Sequence, residues 1–239
     1  MLIKKQMPKY KRLDWDSEFW QREIFSAEVS SIKEAEDLIS HLQDNNRKFS
    51  CYFFAPEKLE PSLIKDLELV DTKVTFTKTL SAARPTEKDH EIFEFSGEPD
   101  ADFIKLAASS GAHSRFKKDQ ILSEKFEELY KLWLLNSTRG QIADKVLAYY
   151  LDTGIAGFLT LKFKEGFSQI GIIAVDNASQ GRNIGSRLIR EAERFCRMND
   201  QLILRVVTQE ENQRAMRFYL KNNFTLENTE IIYHYHYNE

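Results

Sequence analysis

Apolar positions along this chain recur with two periods, and the switches between them mark out its elements. Residues 145–151, 155–164 and 167–175 are runs rich in β-branched and aromatic side chains, read as strands. Only Asp152-Thr153-Gly154 and Glu165-Gly166 separate them, so they form an antiparallel meander. After the third run a polar link, Asp176-Asn177-Ala178-Ser179, leads into a glycine-bearing turn and a change of period. Ile184, Leu188, Ile189, Ala192, Phe195 and Cys196 then fall on one helical face, with Arg187, Arg190, Glu191, Glu193, Arg194 and Arg197 over much of the rest. A strand at 201–207, a helix at 212–222 and an alternating strand at 230–237 complete the chain.

The N-terminal third repeats the alternation on a smaller scale. A short strand at 25–29 precedes a helix capped by Ser31, with Glu34 three residues on as a capping box, which runs to about residue 42 and stops at Asn45-Asn46. A strand at 49–55, a short helix at 61–67 and a long strand at 70–80 follow. In that last strand Val74, Phe76 and Lys78 share one face and Thr75, Thr77 and Thr79 the other. Residues 82–86 read as a linker, because Pro85 disfavours helix before it. The expected division is a small α/β domain over 1–83 and a larger domain over 84–239. The larger one opens with a strand at 91–95 and a helix at 99–109. The turn Ser110-Gly111-Ala112 precedes a second helix, capped by Ser123, with Phe126, Leu129, Tyr130, Trp133 and Leu134 at helical spacing.

Composition narrows the class. The 239 residues include 42% hydrophobic and 12% aromatic side chains, enough for a real core. A net charge of −3 argues against a general nucleic-acid binder. No run approaches the roughly 20 apolar residues of a membrane helix, and no apolar segment follows the N-terminal lysines as a signal peptide requires. Cys51 and Cys196 lie far apart in apolar surroundings, read as buried free thiols in a reducing cytoplasm.

The turn at 180–186 carries the first chemical signal. A helix entered there presents unpaired N–H groups and the positive end of its dipole, and glycines let a phosphate come close. A Walker loop needs Lys and Ser or Thr after its last glycine, whereas Gly185 is followed by Ser186-Arg187. The dinucleotide fingerprint Gly-x-Gly-x-x-Gly is absent. The loop instead resembles the pyrophosphate loop of the GNAT acetyltransferases, matched by Gln180, Gly181, Arg182, Ile184 and Gly185. Asn183 stands where that family has its middle glycine, and Asn is the non-glycine residue that best tolerates a left-handed backbone. The element order over 84–239 resembles the same fold, and Asn212, Ala215, Phe218, Tyr219 and Phe224 match the family's pattern in the helix after the fifth strand.

The resemblance implies an α/β (α+β) GNAT fold, with a mixed, mostly antiparallel central sheet flanked by helices and preceded by the small N-terminal domain. It implies acetyl-CoA as co-substrate, with no metal. Residues Ile173, Ala174 and Val175, the loop residues Gln180, Gly181, Arg182, Asn183, Ile184, Gly185 and Ser186, and Asn212 would hold it. Tyr219 would be the general acid for the leaving thiolate, since a phenol with a pKa of about 10 is protonated at neutral pH. A β-bulge at 173–175 would free amides for the oxyanion. The plainer alternatives are a helix N-cap for Asn212, which could do both jobs, and a core aromatic for Tyr219. The amine's base has no assignment: His113 suits the chemistry, but a solvated loop histidine is the plainer reading.

Ser114-Arg115-Phe116 and the stretch from Leu204 to Gln209 resemble one branch, the TDP-fucosamine acetyltransferases, which acetylate the 4-amino group of a TDP-linked 4-amino-4,6-dideoxy sugar. That likeness implies a nucleotide-sugar acceptor near Ser114, Arg115 and Phe116, a small-molecule partner with no nucleic acid or membrane, and a cytoplasmic enzyme. Acetylation of another small amine or a protein, and a non-catalytic CoA-binding module, are the competing readings. His234 and His236 share one strand face where two imidazoles could hold a metal, but a third ligand is not visible, so an edge-strand surface is the expectation. An exposed final strand would also offer a homodimer contact.

Overall fold

The computed structural model describes residues 7–60, 63–82, 87–152 and 154–239. In chain order its first elements are β1 (Tyr10–Arg12), α1 (Asp14–Trp20), β2 (Glu23–Glu28), α2 (Ile32–Asn45), β3 (Lys48–Ala55) and β4 (Leu67–Thr79). Then come β5 (Ile92–Glu94), α3 (Ala101–Ser110), α4 (Arg115–Lys118), a 3-10 turn at Leu122–Lys125 and α5 (Phe126–Thr138). The meander is β6 (Lys145–Leu151), β7 (Gly154–Lys164) and β8 (Phe167–Val175), followed by a 3-10 turn at Asn177–Ser179. The chain ends with α6 (Ile184–Met198), β9 (Ile203–Gln209), α7 (Gln213–Lys221) and β10 (Thr225–Asn238).

These elements fall into two compact units. One gathers the chain up to Lys73, the segment Lys118–Leu122 and Thr229–Glu239; the other takes Val74–Lys117 and Ser123–Asn228. In the first unit β1 is antiparallel to β2, β2 parallel to β3, and β3 antiparallel to residues 231–238 of β10. Ser31 caps α2 by accepting the Glu34 N–H, while the Glu34 carboxylate accepts from Ser30 N at 2.7 Å. That fixes the helix start so that Ala35, Leu38, Ile39 and Leu42 face Phe49, Cys51, Phe53 and Tyr233.

In the second unit the strand order is β4-β9-β8-β7-β6-β5, the meander antiparallel and β8–β9 parallel. The apolar face of α6 packs over it in one cluster with Val74, Phe76, Leu159, Leu161, Ile170, Leu204 and Val206. Among the described residues no helix is long and apolar enough to cross a membrane. Both cysteines are buried and free, and burial pushes the Cys196 thiol up to about 11.

Several expectations are corrected. Of the helix expected at 61–67, residues 61 and 62 lie outside the described residues. Leu67 already opens β4, the left-handed Asp66 (φ 66°) having turned the chain. Ser123 lies inside a 3-10 turn, and α5 starts at Phe126. The linker read at 82–86 lies, from 83 onward, outside the described residues, as do Met1 to Gln6 and Thr153. Glu191 and Glu193 are buried, the first paired with Arg194 at 2.8 Å and the second with Lys78 at 2.5 Å. The last strand begins at Thr225, pairs with β3 through eight residues and buries Ile232, Tyr233, His234 and Tyr235, so it is not the exposed strand that a homodimer contact of the expected kind requires. The edge-surface reading of its histidines falls with it: His234 is fully buried.

Candidate active site

β8 carries the central feature of the second unit. Its register with β7 runs Leu159–Ile173 on one side and Leu161–Ile170 on the other, so Gly171 and Ile172 together oppose Thr160. This is a β-bulge, two residues before the expected place. Thr160 Oγ1 accepts the Ile172 N–H at 2.8 Å, and a Cβ on Gly171 would lie 2.8 Å from that oxygen, which is why glycine stands there. The bulge bends β8 away from its parallel neighbour. Pairing with β9 covers only Ser168–Ile170 against Leu204–Val206. Peptide N–H groups alternate sides along a strand. Ile172 and Asp176 turn theirs toward β7, Asp176 N bonding Ala156 O at 2.9 Å. Those of Ile173 and Val175 therefore point into the gap where β9 has parted. Both side chains are half-buried on the main apolar cluster, and Ala174 is buried on the opposite face.

The chain then leaves β8 by a tight turn. Asp176 accepts the Ala178 N–H, and Gln180 Nε2 bonds Asn177 Oδ1 at 2.7 Å while lying 3.5 Å from Val175 O. Gly181 has φ +80° and Asn183 has φ 62° and ψ 13°, so the Asn adopts the left-handed conformation a glycine would take. Asn183 makes no side-chain capping bond, which leaves the first turn of α6, from Ile184 through Ser186, without a side-chain cap. Arg182 is exposed and makes no ion pair among the described residues. Arg187, one turn further on, is committed elsewhere: it bonds Asp89 at 2.7 Å and Tyr149 Oη at 3.0 Å. A Cβ on Gly185 would meet the Phe218 ring at 3.0 Å, so this glycine lets α6 and α7 close on each other.

On α7, Asn212 is the N-cap, its Oδ1 accepting Ala215 N at 3.1 Å. Its side-chain amide N–H groups make no hydrogen bond among the described residues. Tyr219, two turns on, is buried among Phe76, Phe218 and Phe224 with ring centroids 5.4–5.7 Å away. It belongs to the same apolar cluster as Ile173, Val175 and Val206. Its hydroxyl makes no hydrogen bond among the described residues, and burial pushes the phenol well above the usual tyrosine value, so it holds its proton throughout the neutral range. Lys78, on the core face of β4, bonds both Glu193 (2.5 Å) and the Asn222 carbonyl (2.8 Å), bracing the C-terminal end of α7. Neither Lys78 nor Thr160 stands out as a site residue in the sequence, because each acts through a partner more than ten residues away.

The segment 114–116 divides. Ser114 is buried, with an Oγ that has no partner among the described residues. The Arg115 guanidinium lies over the Phe116 ring at 4.6 Å, and Phe116 itself is buried edge-on against Trp133 at 5.6 Å. His113 is exposed.

Residues 112–224 match the acetyltransferase (GNAT) family. These residues belong to the GNAT acetyltransferase family. The chain is 27% identical over 127 residues to a dTDP-fucosamine acetyltransferase of Escherichia coli, covering 52% of this chain and 54% of that protein. Over 76 residues it is 30% identical to the protein YxbD of Bacillus subtilis, covering 32% of this chain and 46% of the relative. The chain thus spans about half the length of the curated relatives it matches. Among solved structures, a GCN5-related N-acetyltransferase from Sphaerobacter thermophilus superimposes with a TM-score of 0.54 at 13% identity, over 96% of this chain and 76% of that one. The PaiA N-acetyltransferase of Thermoplasma acidophilum, solved with coenzyme A, gives 0.51 at 24% identity, over 62% and 98%. The GNAT family uses acetyl-CoA. The parted strands, the left-handed turn and the uncapped first turn of α6 fit a thioester on a long diphosphate-bearing arm.

Proposed function

We propose that this GNAT acetyltransferase moves an acetyl group from acetyl-CoA to the amine of a nucleotide-linked amino sugar, of the TDP-4-amino-4,6-dideoxy type, by direct attack. The observation that carries the reading is the bulge at Gly171–Ile172, which turns the Ile173 and Val175 amides into the gap between β8 and β9. Support for the sugar comes from the match to dTDP-fucosamine acetyltransferase, whose 127 aligned residues are 27% identical. We assign the acetyl transfer to the second unit, Val74–Lys117 with Ser123–Asn228, in place of the expected span 84–239, and an accessory role to the first unit.

When bound, the co-substrate supplies an acyl thioester. The amides of residues 184–186, with Gln180, Gly181, Arg182 and Asn183, hold its diphosphate at the positive end of α6. Asn212 donates its side-chain amide to the pantetheine arm. The Ile173 and Val175 N–H groups face the acyl oxygen and stabilise charge that develops on it. Tyr219 keeps its proton and shares it with the departing sulfur. Ser114, Arg115 and Phe116 belong to the acceptor side, where Arg115 is half-buried and its two neighbours are buried.

The test is a panel of nucleotide-linked amino sugars incubated with acetyl-CoA, following free thiol. Turnover is expected with TDP-linked 4-amino sugars, together with a thermal shift from TDP alone. Acetylation of only non-nucleotide amines or of protein lysines overturns the sugar assignment. Tyr219→Phe should lower kcat about 10²–10⁴-fold while acetyl-CoA affinity stays near that of the parent. Unchanged turnover removes Tyr219 from its role.

A further inference from the structure

The last strand carries a polar cluster that acetyl transfer does not use. In its pairing with β3, His234 stands opposite Tyr52 and His236 opposite Ser50. Strand alternation puts both imidazoles on one face, and the segment before the 3-10 turn at Leu122–Lys125 brings a carboxylate to them. Asp119 Oδ2 lies 2.5 Å from His234 Nδ1 and 2.8 Å from His236 Nε2. All three candidate ligand atoms are within 4.8 Å of one another. Asp119 and His234 are buried, while the His236 side chain keeps 17% of its surface, leaving one approach from solvent.

Each group is oriented by its remaining atoms. Asp119 Oδ1 accepts the amides of Ile121 and Leu122, both at 2.8 Å. His236 Nδ1 sits 2.7 Å from Ser50 Oγ, and the His234 ring stacks on Tyr52 at 4.4 Å. Two imidazoles and a carboxylate converge from fixed backbones, with Asp119 Oδ1 and His236 Nδ1 already bonded and the His234 ring held by stacking, a layout that orients ligands around a transition metal.

We propose that Asp119, His234 and His236 form a binding site for a divalent transition-metal ion of the zinc type, with water completing the coordination. Each imidazole ligates in its neutral form. His236 then carries its proton on Nδ1, donating it to Ser50 Oγ, and His234 moves its proton from Nδ1 to Nε2. The present separations are hydrogen-bond distances. Ligands about 2.0–2.1 Å from a tetrahedral zinc stand roughly 3.3 Å apart, so uptake requires Asp119 Oδ2 to draw back from each imidazole nitrogen by about half an ångström or more. The buried Arg22, which donates to the Phe49 carbonyl at 2.7 Å and the Tyr237 carbonyl at 3.1 Å, faces the Asp119 charge. Its positive charge opposes a dication at the same carboxylate. The affinity is accordingly below that of a site with a second carboxylate.

The test titrates Zn²⁺ alone into the tag-free, chelator-stripped full chain by calorimetry. One ion per chain is expected, with Co²⁺ in its place giving the visible absorption of a four-coordinate centre. His236→Ala should abolish uptake, and His113→Ala, an exposed control, should leave it unchanged. Ser50→Ala keeps all three ligands and should weaken binding about 10–100-fold, which keeps the proposal falsifiable if His236→Ala does not fold. No stoichiometric uptake at neutral pH, or uptake unaffected by His236→Ala or Ser50→Ala, overturns the proposal and leaves the cluster a hydrogen-bonded brace.

Discussion

Lys78 gives the sharpest energetic prediction, since it is a charged residue on the apolar face of a strand. Its ammonium bonds Glu193 at 2.5 Å and the Asn222 carbonyl at 2.8 Å, and the two side chains retain 16% and 9% of their surface. Removing one partner of a buried ion pair costs about 3–5 kcal/mol, mostly from the charge left behind. Lys78→Met keeps the aliphatic stem and removes the charge. Among the described residues Glu193 then retains Arg197 alone as an ion-pair partner, at 3.5 Å, and the Asn222 carbonyl loses the Lys78 donor. Partial compensation by Arg197 and the residual exposure put the expected cost at the low end, about 3 kcal/mol. The double variant Lys78→Met/Glu193→Met removes both charges and should recover about 2 kcal/mol of coupling. Urea denaturation of the four proteins of the cycle, followed by tryptophan fluorescence, measures this directly. A coupling under about 0.5 kcal/mol would refute the reasoning. Because the same ammonium holds the carbonyl just past α7, Lys78→Met should also lower kcat through Tyr219, three residues before Asn222.

Two further outcomes test the loop and the α6 contacts. Asn183→Ala places an ordinary side chain at φ 62° and should cost about 1 kcal/mol and weaken acetyl-CoA binding, whereas Asn183→Gly should match or exceed the parent; calorimetry with acetyl-CoA separates them, and an Ala variant that binds like the parent refutes the turn's role. The bonds from Arg187 outweigh burial and hold the Asp89 carboxyl below its usual range. Its folded pKa is thus lower than its unfolded value, and its stabilisation is present above about pH 4 and lost as pH falls below that. Asp89→Asn should flatten the acid limb of a stability–pH curve, and an unchanged slope would dismiss the pair.

Much of the candidate site is legible in the sequence because its parts are local. The meander, the turn and α6 are written in adjacent residues whose period, glycines and caps act over a few positions. Asn212 and Tyr219 are linked by helical spacing alone, so their common helix is readable too. Lys78 is visible on the apolar face of its strand, but no neighbour within ten residues explains it. The bulge is expected at 173–175 and lies at 171–172, because its place depends on Thr160 in the facing strand and on how closely Gly171 can approach it.

The histidine pair marks the same limit. The sequence sets His234 and His236 on one face of a strand. Their burial, and the carboxylate 115 residues away that joins them, cannot be read there. Periodicity determines which side chains share a surface, since that follows from backbone geometry within one element. What covers that surface is decided only by the fold, because a buried charge finds its partner through space rather than along the chain.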